Sequence, residues 1–367
     1  MKINFIDLQR QYQLYKDEID AQIEKVISSA AFIMGPQVKE LEEQLSDFLG
    51  VKHTISCSSG TDALSLALMA YDIRPGDEII TTTFTFIATA EVISLLKAKP
   101  VFVDIKEDTF NIDPDKIETA ITPKTKGIIA VDIFGQCADY DEIKRIAKKH
   151  NLFVIEDGAQ SFGAEYKGRK ACSLADVGCT SFFPAKPLGC FGDGGAVFTN
   201  NDELAEIMKS IRIHGKGQNK YDNVRVGLNA RIDTIQAAIL LAKLPHYEKE
   251  VGLRNEVACR YKEGLSDVVI TPKIYEHNLS VFAQYSIRTE QRPDLQNALK
   301  EKGIPTAIHY PKPLHLQPAF AALGYTEGSF PMAESVCGNI LALPMHPYLK
   351  REEQDTIIET IKSFYQS

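Results

Sequence analysis

The chain of 367 residues contains no apolar run near the roughly 18 residues a membrane span needs, and its start, "MKINFIDLQRQYQLYKDEID", holds no apolar signal-peptide core. A cytosolic setting is therefore expected. Like-charge blocks and low-complexity tracts are also missing, which argues against a disordered chain. Basic side chains are outnumbered, 41 against 49 acidic ones, and the net charge of −8 speaks against broad nucleic-acid or anionic-membrane binding. Local phosphate sites stay open, and the expected partners are small molecules or protein. No C-x-x-C pair occurs among Cys57, Cys137, Cys172, Cys179, Cys190, Cys259 and Cys337, so reduced, mostly buried thiols are expected and no metal is called for.

What the chain does have is alternation. The β-branched runs "HTISCSS", "DEIITTT", "KPVFVDI", "KGIIAVDI" and "LFVIEDGAQS" are separated by helical patterns through the first 240 residues. The apolar run from Gly127 to Ile133 suits a strand covered on both faces, so an α/β fold is expected, with a mostly parallel sheet flanked by helices. Ligands in such sheets bind beyond the carboxyl ends of the strands. Ahead of the sheet, "VKELEEQLSDFLG" puts Val38, Leu41, Leu45 and Phe48 on one helical face, with Gly50 as the C-terminal cap. A long helical stretch over 234–265 is broken at Pro245, which suits a hinge. This divides the chain into a large domain, 1–245, and a small C-terminal α+β domain, 246–367. In the latter, "VFAQYSIRTE" and "PTAIHY" read as strands, and "RPDLQNALKEKG" and "EEQDTIIETIKSF" as helices.

Three stretches could carry chemistry. In "SSGTDALSLALMA", Ser58, Ser59, Gly60 and Thr61 open an amphipathic helix with little side-chain bulk. Such a start binds anions through free N–H groups and the helix dipole, or Ser59 or Thr61 simply caps the helix. In "LFVIEDGAQSFGA", Asp157 ends an apolar strand inside the ligand crevice, where a carboxylate wants a cation; it could equally cap the following turn or pair with a structural Arg. Gln160 follows three residues later, placed to hydrogen-bond a ring substituent. In "SFFPAKPLGCFGDGG", Pro184 and Pro187 hold Lys186 on a constrained turn. Phe182, Phe183, Leu188 and Phe191 are expected to desolvate its ammonium and lower its pKa, as a nucleophilic or Schiff-base lysine requires. A surface lysine would have a more polar setting.

An anion-binding helix start, a buried Asp, a desolvated Lys and the hydroxyl of Ser181 together match the needs of pyridoxal 5′-phosphate: a phosphate cradle, a partner for the ring nitrogen and an amine for its carbonyl. An aromatic ring over the cofactor completes such a site. Phe84 and Phe86 lie where the next strand ends, and Phe86 is preferred, with core packing as the alternative. The glycines Gly192, Gly194 and Gly195 are expected to serve tight turns beside the cofactor.

These phrases, together with "GPQVKELE", "PGDEIITTTFTFIATAE", "GQCADYDEI", "RVGLNARIDTIQAA" and "HYPKPLH", closely resemble the DegT/DnrJ/EryC1/StrS sugar-nucleotide aminotransferases of fold type I nearly end to end. The resemblance implies Lys186 as the cofactor's lysine, Asp157 at the pyridinium, Gln160 near the 3-oxygen, and Gly60, Thr61 and Ser181 at the phosphate. It implies that Asn229 reaches the cofactor phosphate of a neighbouring subunit, hence a homodimer with shared sites. Dehydratases of the family carry histidine in place of the lysine, and a silent or regulatory relative should have lost Lys186 or Asp157. "SFFPAKPLGC", "SVFAQYSIR" and "IHYPKPLH" look most like enzymes that aminate C3 of UDP-2-acetamido-2-deoxy-3-oxo-glucuronate for surface polysaccharides. Amination at C4 of a UDP-4-keto-6-deoxy sugar is the alternative. Arg231, His309 and Tyr310 are then implied to hold the sugar, with Arg231 at a uronate carboxylate or, otherwise, in a helix-start salt bridge, and with a core histidine as the alternative for His309. Glutamate is the implied donor, 2-oxoglutarate its product, and ping-pong kinetics are expected.

Overall fold

The computed structural model describes residues 3–219 and 221–366. Helices α1 (Leu8–Leu14), α2 (Lys16–Ser29) and α3 (Pro36–Leu49) come first. Then follow β1 (His53–Cys57), α4 (Gly60–Ala70), β2 (Glu78–Thr82), α5 (Ala88–Leu95), β3 (Lys99–Val103), α6 (Pro114–Ile117), β4 (Thr125–Val131), α7 (Tyr140–His150) and β5 (Phe153–Asp157). Two short strands, β6 (Glu165–Tyr166) and β7 (Arg169–Lys170), lead to β8 (Val177–Ser181), β9 (Gly195–Thr199), α8 (Asp202–Ile211), α9 (Thr234–Lys243) and α10 (Tyr247–Leu265). The chain closes with β10 (Asn278–Leu279), β11 (Tyr285–Arg288), α11 (Arg292–Glu301), α12 (Pro331–Asn339), β12 (Ile340–Leu343) and α13 (Arg351–Gln366).

Local chemistry accounts for the element ends. Pro36 fills the first turn of α3, where its missing N–H costs nothing, and Gly50 closes that helix at a φ of 68° that a side chain would resist. Val38, Leu41, Leu45 and Leu49 are its buried face, while Phe48 is partly buried and stacks on Phe162 at 5.3 Å. In α7, Asp141 and Glu142 sit at the first turn and Lys148, Lys149 and His150 at the last, each sign matched to its end of the helix dipole. Asn201 caps α8 by accepting from Glu203 N at 2.9 Å and Leu204 N at 3.1 Å.

Seven strands form one α/β sheet in the order β1-β9-β8-β5-β4-β2-β3. Strand β9 runs against both neighbours, and the other pairs are parallel. The carboxyl ends of β1, β2, β4, β5 and β8 therefore share one edge. Successive residues point to opposite faces: Ile79, Ile129, Ile155 and Val197 pack with α4 and α8, whereas Ile80, Ile128, Val154 and Ala196 pack with α3 and α7. Both faces are thus covered, as continuous apolar strands require. Strand β4 stops at Val131, and Asp132 and Ile133 belong to the turn beyond it.

A 3₁₀ turn, Leu244–His246, holds Pro245 between α9 and α10. Beyond it Tyr261, Ile287, Leu299, Leu341 and Ile357 form a core of their own. The strand expected at "PTAIHY" does not form. Only Ala307 bridges to Ala342, because β12 pairs with β11 and the following chain turns to the end of β2, where Leu314 N donates to Thr83 O at 2.8 Å. Six cysteines are buried, Cys259 is exposed, and all seven are free. Among the described residues no helix is long and apolar enough to cross a membrane.

Candidate active site

Three of the sequence-identified stretches meet at the carboxyl edge of the sheet. Strand register puts Cys57, Gly195 and Ser181 in one row, which brings the start of α4 beside the end of β8. Ser59 is extended, and its Oγ accepts from Asp62 N at 3.0 Å, so this serine caps the helix. That leaves the N–H groups of Gly60 and Thr61 ahead of the first intrahelical acceptor. A Cβ on Gly60 would lie 2.7 Å from Ser181 Cβ, and one on Gly195 would lie 2.4 Å from Ser59 O. Neither glycine has a positive φ, nor do Gly192 and Gly194. Close packing of α4, β8 and β9, rather than the tight turns expected, is what demands small residues here.

Asp157 ends β5 at 5% exposure. Its Oδ2 accepts from Thr89 Oγ1 at 2.7 Å and its Oδ1 from Ala159 N at 3.2 Å, so it does cap the turn, yet both partners are uncharged. Burial raises its pKa, and Thr89, Ala159 and the Lys186 charge oppose the rise. Gln160 is buried and fully oriented: its Oε1 accepts from Phe134 N at 2.9 Å, and its Nε2 donates to Tyr310 Oη at 3.3 Å. At the same edge another buried carboxylate, Asp132, accepts from Ala138 N, Tyr140 Oη and Ser161 Oγ at 2.8–2.9 Å. It fixes the turn that carries Gln160.

Lys186 is partly buried on its turn, with its backbone N–H donated to Phe183 O at 2.8 Å. Burial pushes its pKa down to about 8, against the pull of Asp157. The enclosure is not the one expected. Phe182 and Leu188 are buried beside it, but Phe183 is 51% exposed, and Phe191, 39% exposed, packs its ring against Lys243 and Tyr12 instead. His309 is held below its usual pKa by burial and by the Lys186 charge, and Tyr310 is held above its usual value by burial. Lys186 is thus electrostatically coupled to Asp157 and to His309, and Asp157 to Tyr310.

The rings of Phe84 and Phe86 lie 6.1 and 6.4 Å from that of Tyr310. Phe84 is fully buried in the core, while Phe86 is 55% exposed, so Phe86 is the ring left to face a ligand. Asn229 is exposed and Arg231 half-buried, and neither exchanges a hydrogen bond with Lys186, Asp157, Gln160 or Tyr310. Sequence reasoning missed Thr89, which holds Asp157, and His315, which holds the segment bearing His309 and Tyr310. The Nδ1 of His315 lies 2.8 Å from Thr83 Oγ1 and its Nε2 3.0 Å from Glu334.

The arrangement suits pyridoxal phosphate. A helix start packed too tightly for side chains offers N–H and hydroxyl donors to a phosphate, a buried carboxylate lacks a full positive partner, and an amine with a depressed pKa stands near it. A phosphate for the N–H and hydroxyl donors, a protonated pyridine nitrogen for the accepting carboxylate and a carbonyl carbon for the amine nucleophile are the three groups the arrangement matches.

A model of the DegT/DnrJ/EryC1/StrS aminotransferase family matches residues 13–362. A Pseudomonas aeruginosa protein named UDP-2-acetamido-2-deoxy-3-oxo-D-glucuronate aminotransferase is 53% identical over 95% of this chain and 96% of its own. A Geobacillus stearothermophilus protein named pleiotropic regulatory protein is 48% identical over 100% of this chain and 99% of its own. Among solved structures, NtdA from Bacillus subtilis with bound cofactor PMP superposes with a TM-score of 0.93 at 32% identity, covering 100% of this chain and 86% of that one.

Proposed function

Since the chain belongs to the DegT/DnrJ/EryC1/StrS family and is a pyridoxal-phosphate-dependent sugar aminotransferase, we propose that it moves the amino group of glutamate to C3 of UDP-2-acetamido-2-deoxy-3-oxo-glucuronate. The reaction consumes glutamate and the 3-keto sugar and yields 2-oxoglutarate and the 3-amino sugar. The observation that carries the cofactor chemistry is the Lys186 amine, depressed to about 8 and electrostatically coupled to a buried Asp157 whose hydrogen-bond partners are uncharged. The Pseudomonas relative supports the choice of sugar.

Pyridoxal phosphate, when bound, supplies an electron sink for the carbon that loses or gains a proton. The protein's part divides among its residues. Gly60, Thr61 and Ser181 would hold the phosphate, Asp157 would keep the ring nitrogen protonated, Gln160 would bind the 3-oxygen, and Phe86 would cover a ring face. Lys186 Nζ takes the proton from the α-carbon of glutamate and returns one to C3 of the sugar in the second half-reaction. His309 and Tyr310 orient the sugar, and Arg231 meets the uronate carboxylate. Asn229 serves the cofactor phosphate of a second copy, so the working unit is a homodimer. Residues 1–245 form the cofactor-binding domain and 246–367 the smaller domain that covers the sugar, in the cytosol and towards surface polysaccharide.

Offering the enzyme glutamate with either the 3-oxo-glucuronate or a UDP-4-keto-6-deoxy sugar, and reading the aminated carbon by NMR, tests the proposal. Amination at C3 of the former is expected, and amination confined to C4 of the latter contradicts it. The regulatory name of the Geobacillus relative motivates a second reading, a sugar-nucleotide sensor. A sensor would release no 2-oxoglutarate.

A further inference from the structure

A buried lysine, Lys243, lies behind the turn that carries the partly buried Lys186. Lys243 is the last residue of α9, and only 3% of it is exposed. Its Nζ donates to Gly189 O at 2.6 Å and sits 4.5 Å from the centre of the Phe191 ring. Two helical turns earlier on the same face, Gln236 Oε1 accepts from Phe191 N at 2.8 Å. Both side chains thus grip one limb of the turn.

The other limb carries Lys186, and the two are locked together. Phe182 N donates to Gly194 O at 2.7 Å and Cys190 N to Phe182 O at 2.8 Å, closing the loop at its base. At its waist a Cβ on Gly189 would lie 2.6 Å from Pro184 O and 2.7 Å from Phe183 O, the carbonyl that receives Lys186 N–H. Gly189 is therefore packed directly against the backbone that presents Lys186. Fixing the Gly189 carbonyl fixes that backbone.

Burying an ammonium on a carbonyl and an aromatic face is costly, and an unbranched methionine, one atom shorter, would fill most of the space without a charge. The nearest carboxylate to influence it, Glu250, is engaged by Gln11 Nε2 at 3.2 Å and by Tyr348 Oη, and makes no ion pair with Lys243. Packing alone does not call for a lysine here.

We propose that Lys243 is a positioning residue for the reaction, holding the Gly189 carbonyl and the Phe191 ring so that the turn presents Lys186 to the cofactor and substrate. The proposal rests on the reading of Lys186 as the cofactor-bearing lysine, and the experiment separates the two. Borohydride reduction of the wild-type holoenzyme followed by peptide mapping comes first. Label on Lys186 upholds that reading; label elsewhere overturns it and the proposal with it.

With label on Lys186, the variants decide. Lys243→Met is expected to keep the same labelled peptide and a Tm no lower than wild type, while kcat falls about tenfold to a hundredfold and the sugar KM stays within about twofold. Lys243→Arg, which keeps a donor and a charge, is expected to recover kcat to within about threefold of wild type. A Lys243→Met enzyme with wild-type kcat overturns the proposal, as does a parallel loss of Tm and kcat that arginine does not repair. Should Lys243→Met not fold, Phe191→Leu removes the ring beneath the ammonium from a half-exposed site; a lowered kcat is expected there, and an unchanged one overturns the proposal.

Discussion

The depressed pKa of Lys186 makes a quantitative claim about how the apoenzyme captures its cofactor. Moving this amine from the ordinary 10.5 to about 8 disfavours its ammonium by about 3 kcal/mol. At pH 7.5 roughly a quarter of such an amine is neutral, against roughly one in a thousand for an ordinary lysine, so the reactive fraction is about 200-fold larger. Capture of pyridoxal phosphate, followed by stopped-flow absorbance, should accelerate with pH and level off near pH 8. Asp157 opposes the depression by favouring the ammonium. Its replacement in Asp157→Asn therefore lowers the amine's pKa further and moves the plateau to lower pH, even as cofactor affinity drops. A rate that climbs without a plateau to pH 10, or an Asp157→Asn plateau at higher pH, would refute the electrostatic argument.

Other perturbations follow from the same geometry. Gly60→Ala puts a Cβ 2.7 Å from Ser181 Cβ and should weaken pyridoxal-phosphate binding by about tenfold or more in a fluorescence titration; an unchanged Kd would show that the helix start is no cradle. Tyr310→Phe deletes the 3.3 Å bond from Gln160 and is expected to reduce kcat/KM by about fivefold, consistent with about 1 kcal/mol for a hydrogen bond. Equal kcat/KM in the two proteins would mean that the bond orients nothing. Arg212, 5% exposed, binds Glu42 and the Ser56 carbonyl, so Arg212→Met strands a half-buried carboxylate and should cost about 3 kcal/mol or more in urea unfolding. A loss under about 1 kcal/mol would place that pair among ordinary surface contacts.

Legibility in the sequence tracked the range of the interactions. Lys186, Asp157, Gln160 and the Ser59 cap were readable because each is defined by its immediate neighbours: prolines around a turn, an apolar strand ending in a carboxylate, a small-residue helix start. The misreadings came where neighbours in sequence diverge in space. Phe183 and Phe191 flank Lys186 in the chain, yet both are partly open to solvent and Phe191 packs on Lys243, and nothing local distinguishes them from buried Phe182. Gly195 looked like a turn residue because its contact with Ser59 depends on β9 inserting between β1 and β8, and the β1–β9 pairing spans more than 130 residues. Thr89 reaches Asp157 across 68 residues and His315 reaches Thr83 across 232, so no local pattern could have announced either. The strand expected at "PTAIHY" had the right composition, but the chain there is drawn instead to the end of β2, where it carries His309 and Tyr310 into the site.

The central claim is that one pocket strips the amino group from glutamate before any sugar arrives. Mixing the holoenzyme with excess glutamate alone and counting 2-oxoglutarate tests it most directly. One 2-oxoglutarate per active site, formed in a single rapid phase and released into turnover only when the 3-keto sugar nucleotide is added, is the expected result. Absence of 2-oxoglutarate until sugar is present, or loss of the keto sugar with none formed at all, would contradict the account.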